Sequence, residues 1–174
     1  MKLTIGWLYP DLMSTYGDRG NIIVLVKRCE WRKIGVNVEE ITLETKSDVL
    51  KNCDMIFMGG AQDRQQKIAS DDLSKNKGPA IQEMIENETP GLFVCAAYQF
   101  MGHYYRPAEG EDIKGLGIFD LYTQHFGKDK PRCIGNTVIN IKNQISKIKN
   151  TYQNSTSLIT LVGFENHGGR TYRS

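Results

Sequence analysis

A chain of 174 residues with a formal charge of +2 at neutral pH is long enough for one domain with its own core, without disulfides or a structural metal to hold it. The charge is too small, and the Lys and Arg residues too scattered, to argue for nucleic acid or an anionic membrane as partner. No apolar run approaches membrane-spanning length, and the N-terminal segment Lys2–Leu8 lacks the longer apolar stretch and cleavage site of a signal peptide, so a cytoplasmic protein is expected.

In chain order, Lys2–Leu8 reads as a first strand, followed by a polar loop to Arg19. Between residues 21 and 33, Ile22, Ile23, Leu25, Val26 and Cys29 fall at helical spacing, with Gly35 closing the helix. Residues 36–43 read as a second strand, and residues 54–58 as a short apolar third ending at Gly59-Gly60. Two helices are predicted over 63–72 and 77–86, the second with Ile81, Met84 and Ile85 facing inward. A strand over residues 92–95 then leads into another helix. Alternation of this kind predicts an α/β fold, a mostly parallel sheet flanked by helices. After Gly115 the signal changes: residues 137–141 and 158–164 alternate like half-exposed antiparallel strands, and the polar stretch 142–157 reads as a surface excursion between them.

The stretch most telling for chemistry is Leu92-Phe93-Val94-Cys95-Ala96-Ala97-Tyr98-Gln99. A strand ending at a cysteine, followed by two small residues and a helix, is the sequence trace of a nucleophile elbow. The amides that open the following helix favour a thiolate and stabilise an oxyanion. Ligand sites in parallel sheets gather at the carboxyl ends of the strands, where Gly59-Gly60 also falls. The amides of Gly60 and Ala96 together would make an oxyanion hole for acyl transfer through a thioester at Cys95. The bland reading of the glycine pair is a tight turn, and that of Cys95 a core cysteine. Cys29 and Cys53 are read as structural, and Cys133, in a loop beside Pro131-Arg132, has no evident activating partner. The four cysteines form no C-x-x-C pair and no Cys/His cluster, so neither a metal nor a cofactor is expected.

These residues resemble the class I glutamine amidotransferases, whose nucleophile motif runs G-x-C-x-G-x-Q; here Phe93 and Ala97 replace the two glycines, while Cys95 and Gln99 match. Within that class the chain is similar to the cobyric-acid-synthase-like branch, and inside it to glutaminase subunits of lipid II isoglutaminyl synthases. Five segments carry the likeness: 16–22 (YGDRGNI), 57–65 (FMGGAQDRQ), 97–100 (AYQF), 115–123 (GLGIFDLYT) and 162–171 (VGFENHGGRT). The resemblance implies a single flavodoxin-like amidotransferase domain over 1–174, incomplete at its C-terminus. It implies hydrolysis of glutamine to glutamate and ammonia by Cys95, with Gly60 and Ala96 as oxyanion amides and Arg132, Gln99 and His167 toward the substrate. It also implies a heterodimer with a Mur-ligase-like ATP-dependent subunit that amidates the stem-peptide D-glutamate of the peptidoglycan precursor. The absence of a G-x-x-x-x-G-K-[ST] phosphate loop independently places ATP chemistry on another chain.

A cysteine glutaminase needs a histidine to take the thiol proton and return it to ammonia. The chain offers His103, His125 and His167. His103 reads as a partly exposed surface residue and His125 as a loop residue without distinguishing context. In the family the Asn-His-Gly block that holds His167 lies near the glutamine site, and the catalytic histidine comes later. The expectation is therefore a fragment that lacks its usual base, and with it late strands of the sheet. Two readings stay open beside it: a short form using His167 or a partner's base, and an inactive scaffold that binds the ligase. A different flavodoxin-like cysteine hydrolase, such as an intracellular peptidase, is disfavoured by Tyr98-Gln99 and Asn166-His167-Gly168.

Overall fold

The structure is a computed structural model and describes residues 2–141 and 159–174. Leu158 and the predicted surface excursion 142–157 lie outside the described residues. The chain divides into two compact units, one of Met1–His125 with Gly169–Ser174, the other of Phe126–Gly168.

The first unit is built on a four-stranded parallel sheet, in the order β2-β1-β3-β4, from β1 (Lys2–Leu8), β2 (Gly35–Ile41), β3 (Met55–Met58) and β4 (Gly91–Phe93). Central parallel strands are covered on both faces, which is why Met55-Ile56-Phe57-Met58 is apolar throughout rather than alternating. The register pairs Trp7 with Phe57 and Leu8 with Met58. The pleat then sends Ile5, Trp7 and Phe57 to one face, against Ile22 of α1 (Arg19–Trp31). Leu8, Ile56 and Met58 join a second cluster with Ile81 and Met84 of α3 (Gly78–Glu86). Each such fully buried side chain contributes roughly 1.5–3 kcal/mol.

Helix α1 starts two residues earlier than its apolar spacing suggests and stops before Gly35. The left-handed residue that ends it is Lys33, at φ 57°, while the amide of Ile34 returns to the Cys29 carbonyl at 3.0 Å. Gly35 instead opens β2. Helix α2 (Asp63–Asp72) matches the predicted range, and a π-helical turn, Leu73–Lys77, joins it to α3. Pro79 lies in the first turn of α3, where its missing N–H costs nothing.

That π turn places Lys77 inside, where its Nζ meets Asp72 Oδ2 at 2.6 Å, with 1% and 8% of the two side chains exposed. Tyr9 Oη donates to the same oxygen at 2.7 Å, and Asn76 Nδ2 to Oδ1 at 2.6 Å. Burial alone would raise the Asp72 carboxyl, but the hydrogen bonds from Asn76, Lys77 and Tyr9 together hold it below the ordinary range. The Tyr9 hydroxyl is pushed far up, first by burial and then by Asp72.

The unit also holds a smaller sheet in the order β10-β7-β5-β6, from β5 (Tyr104–Arg106), β6 (Ile113–Lys114), β7 (Leu121–His125) and β10 (Gly169–Arg173). Its β10–β7 and β5–β6 pairings are antiparallel, while β5 and β7 run parallel. Tyr104, Tyr122 and Tyr172 stack across it at centroid distances of 5.3 and 5.4 Å. In the second unit, β8 (Cys133–Ile141) and β9 (Ile159–His167) form a two-stranded antiparallel ribbon, longer than the alternating stretches that predicted it.

Candidate active site

Cys95 stands two residues after the end of β4, with φ 57° and ψ −117°. A residue with a Cβ rarely adopts positive φ, and such strain of about 1–3 kcal/mol persists only where the surroundings enforce it. Here they do. The Val94 amide is held by the Met58 carbonyl at 3.0 Å on one side. On the other, Ala96 and Ala97 are fully buried and the Gln99 amide bonds the Cys95 carbonyl at 3.3 Å. Two small residues after the cysteine allow the chain to reverse without a side chain in the way. The sulfur-bearing residue is itself exposed. This is the geometry of a nucleophile elbow.

Two details differ from the sequence reading. The strand ends at Phe93, two residues short of Cys95, and the helix that follows, α4, covers only Ala96–Phe100. It stops because its last carbonyls are taken by another segment: Leu116 N donates to Phe100 O at 2.7 Å, Phe119 N to Met101 O at 2.9 Å and Gly117 N to Gly102 O at 2.8 Å. A helix this short carries a weak macrodipole, so charge stabilisation near Cys95 rests on individual amides. Ala96 supplies one of them, as the opening residue of a helix whose first four N–H groups have no partner within it.

Gly60 lies against the thiol. A β-carbon built on it would stand 2.9 Å from Cys95 Cβ and 3.1 Å from Sγ, so no side chain fits there without displacing the cysteine. The same added carbon would lie 3.2 Å from the Tyr16 ring, and one on Gly59 would collide with the Met13 carbonyl and with Asp18 Cγ at 2.5 Å. The segment around Tyr16 therefore caps the glycine pair. It is pinned by Thr15 N on Gly60 O at 3.2 Å and by Tyr16 N on buried Asp18 Oδ2 at 3.3 Å. Tyr16 is exposed beside the thiol, a position that residue type and spacing do not mark. The only signal for it was its place in the YGDRGNI segment.

The remaining candidates fall into two groups. Gln99 is half-buried on α4, in the same unit as Cys95, Gly60 and Ala96. Arg132 and His167 belong to the ribbon unit. There Arg132 Nε donates to Asn166 Oδ1 at 3.2 Å and its Nη2 to the Asn166 carbonyl at 3.3 Å, so the ribbon brings Arg132 beside the Asn-His-Gly block. His167 Nε2 pairs with Glu165 Oε2 at 2.9 Å, and its ring lies 6.4 Å from that of Phe126. His103 is exposed as expected and meets Asp120 Oδ1 at 3.1 Å, and this bond is the main cause holding the Asp120 carboxyl below its usual range. Cys53 is buried, and burial followed by Glu39 and Asp54 pushes its thiol up, which suits a structural cysteine. Cys133, expected in a loop without an activating partner, opens β8 and lies directly opposite His167 in the register of the ribbon.

Comparison with known proteins bears on this site. The model of the CobB/CobQ-like glutamine amidotransferase domain matches residues 4–174. The chain is 42% identical over 171 residues to the GatD subunit of the glutamine-hydrolysing lipid II isoglutaminyl synthase of Staphylococcus aureus (strain N315). It is 38% identical over 173 residues to the corresponding subunit of Streptococcus pneumoniae (strain ATCC BAA-255 / R6). Those alignments take in 98% and 99% of this chain, but the chain spans only 63% and 60% of the length of those relatives. A solved structure described as a glutamine amidotransferase superposes with a TM-score of 0.51 at 14% identity, over 78% of this chain and 64% of that one, and supports the α/β fold. The chain belongs to the CobB/CobQ-like glutamine amidotransferase family.

Proposed function

We propose that this chain is the glutamine-hydrolysing part of a lipid II isoglutaminyl synthase, with Cys95 as its nucleophile. The observation that carries the reading is the strained, exposed Cys95 with the Gly60 backbone packed against its thiol. The Cys95 thiolate attacks the side-chain amide carbon of glutamine, and the developing oxyanion is received by the amides of Gly60 and Ala96. Collapse of the tetrahedral intermediate breaks the C–N bond. The leaving nitrogen takes the proton first removed from the thiol and departs as ammonia, leaving a glutamyl thioester that water cleaves to glutamate. Tyr16 lies beside the glycine pair and the thiol, Gln99 sits on the short helix after Cys95, and the family resemblance assigns Gln99, Arg132 and His167 toward the substrate. The proton carrier is a histidine: one that follows the Asn-His-Gly block, as in the family, or, in a short form, His167 or a base of the partner. Ammonia passes to a Mur-ligase-like, ATP-dependent partner subunit that amidates the D-glutamate of the peptidoglycan precursor. Support for that destination comes from the two GatD relatives.

Glutamate and ammonia release from glutamine, measured with the full-length protein and its ligase subunit, tests the reading. Wild type is expected to be active and Cys95→Ala inactive. Activity retained in Cys95→Ala would overturn the thioester mechanism. Glutamine hydrolysis without ligase-dependent amidation of the precursor would overturn the destination only.

A further inference from the structure

We propose that Cys133, Glu165 and His167 form a binding site for a zinc-type divalent cation on one face of the β8–β9 ribbon. One ligand atom from each of the three lies within 4.8 Å of the other two. The arrangement follows from strand pairing. Cys133 and His167 are directly opposed in the antiparallel register, and Glu165 stands two residues before His167, on the same face. The position opposite Glu165 is Gly135, and a β-carbon there would meet nothing within 4 Å, so the space beside the carboxylate is open.

The donor set is one thiolate, one imidazole and one carboxylate, a combination that suits zinc better than magnesium or calcium, which prefer oxygen alone. Around a tetrahedral zinc, ligand atoms stand roughly 3.3–3.6 Å apart. Side-chain rotation brings the three donors to that spacing, with the His167–Glu165 pair opening from 2.9 Å. Three protein donors leave a fourth position for water. Binding deprotonates the Cys133 thiol and releases its proton. An ion here also holds the His167 imidazole, withdrawing it from the role toward glutamine assigned above; that consequence alone rests on the proposed function, and the site itself does not.

The full chain is titrated with Co2+, whose thiolate ligands give a near-ultraviolet charge-transfer band, and with Zn2+ by equilibrium dialysis. A single equivalent is expected to bind, with the Co2+ band present in wild type and in Cys95→Ala and absent in Cys133→Ser. Zinc affinity is expected to fall about tenfold or more in His167→Ala and in Glu165→Gln. All three ribbon side chains stand at the surface or half-buried, so these variants are expected to fold, which circular dichroism checks. No band in wild type, a band that survives Cys133→Ser, or equal zinc binding in wild type and His167→Ala would each overturn the proposal. None of these readouts depends on glutaminase activity.

Discussion

In the parallel sheet, Leu8, Ile56, Phe57 and Met58 are fully enclosed, whereas in the β8–β9 ribbon Ile134, Val138, Val162 and Phe164 stand largely in solvent, Val162 at 77% and Phe164 at 65% exposure. The same residue types thus mean different things in the two units. In the sheet, apolar character reflects packing from both faces, and position is fixed by volume. In the ribbon it reflects strand propensity and cross-strand contact, and position is fixed by register. The proposed site residues are distributed accordingly. The sheet offers a rigid platform for a strained cysteine, while the ribbon lines up polar side chains, Arg132 with Asn166 and Cys133 with His167, by pairing alone.

Substitutions can break or sharpen this contrast. The largest expected effect is on the platform: if Cys95 is the proposed nucleophile, Cys95→Ala should lower glutamine turnover by about 10⁴-fold or more in a steady-state assay. Next is Lys77→Met, which strands the Asp72 carboxylate in the interior and should cost about 3–5 kcal/mol in chemical denaturation. The double variant Lys77→Met/Asp72→Leu should recover most of that loss. Gly60→Ala should reduce kcat/KM by about 10²-fold and cost about 1–3 kcal/mol of stability, because the added carbon crowds Cys95 Cβ as well as the thiol. The Asp72 network also predicts a direction with pH. Its folded carboxyl titrates below the unfolded value of about 3.9, so its stabilising contribution is full above that value and is lost as pH falls through the lower folded one. Wild type should lose stability over that acid interval more steeply than Asp72→Asn. Smallest of all, Phe164→Ser in the exposed ribbon should change unfolding free energy by about 0.5 kcal/mol or less. A loss comparable with Lys77→Met would show that the ribbon is packed as the sheet is.

Much of the platform was legible in the sequence because its signals are local. Met55 to Met58 is a continuous apolar run, Asp63 to Asp72 has a helical pattern with clear ends, and the small residues after Cys95 announce a sharp turn. The short span of α4 was not legible, since it is ended by hydrogen bonds from Leu116 and Phe119, well downstream in the chain. Nor was the π turn that buries Lys77, because a lysine among Leu73-Ser74-Lys75-Asn76 reads as surface and its partner Tyr9 is remote in sequence. The facing of Cys133 and His167 depends on strand register over 34 residues of separation, of which composition and spacing carry no trace. Tyr16 falls between these cases: its segment was visible as part of a family pattern, but only the fold shows it beside the thiol.

The positive φ of Cys95 carries a consequence for how substitutions at this position will score. Glycine holds that conformation without strain, so Cys95→Gly removes the proposed nucleophile and relieves a local cost of about 1–3 kcal/mol at once. Part of that gain is offset by the greater freedom of glycine in the unfolded chain. A screen that counts folded protein in cells would rank Cys95→Gly as neutral or improved, and a screen for growth that depends on the activity would rank it among the worst. Disagreement between two such maps, concentrated at one residue, would mark where this fold has set catalysis above its own stability.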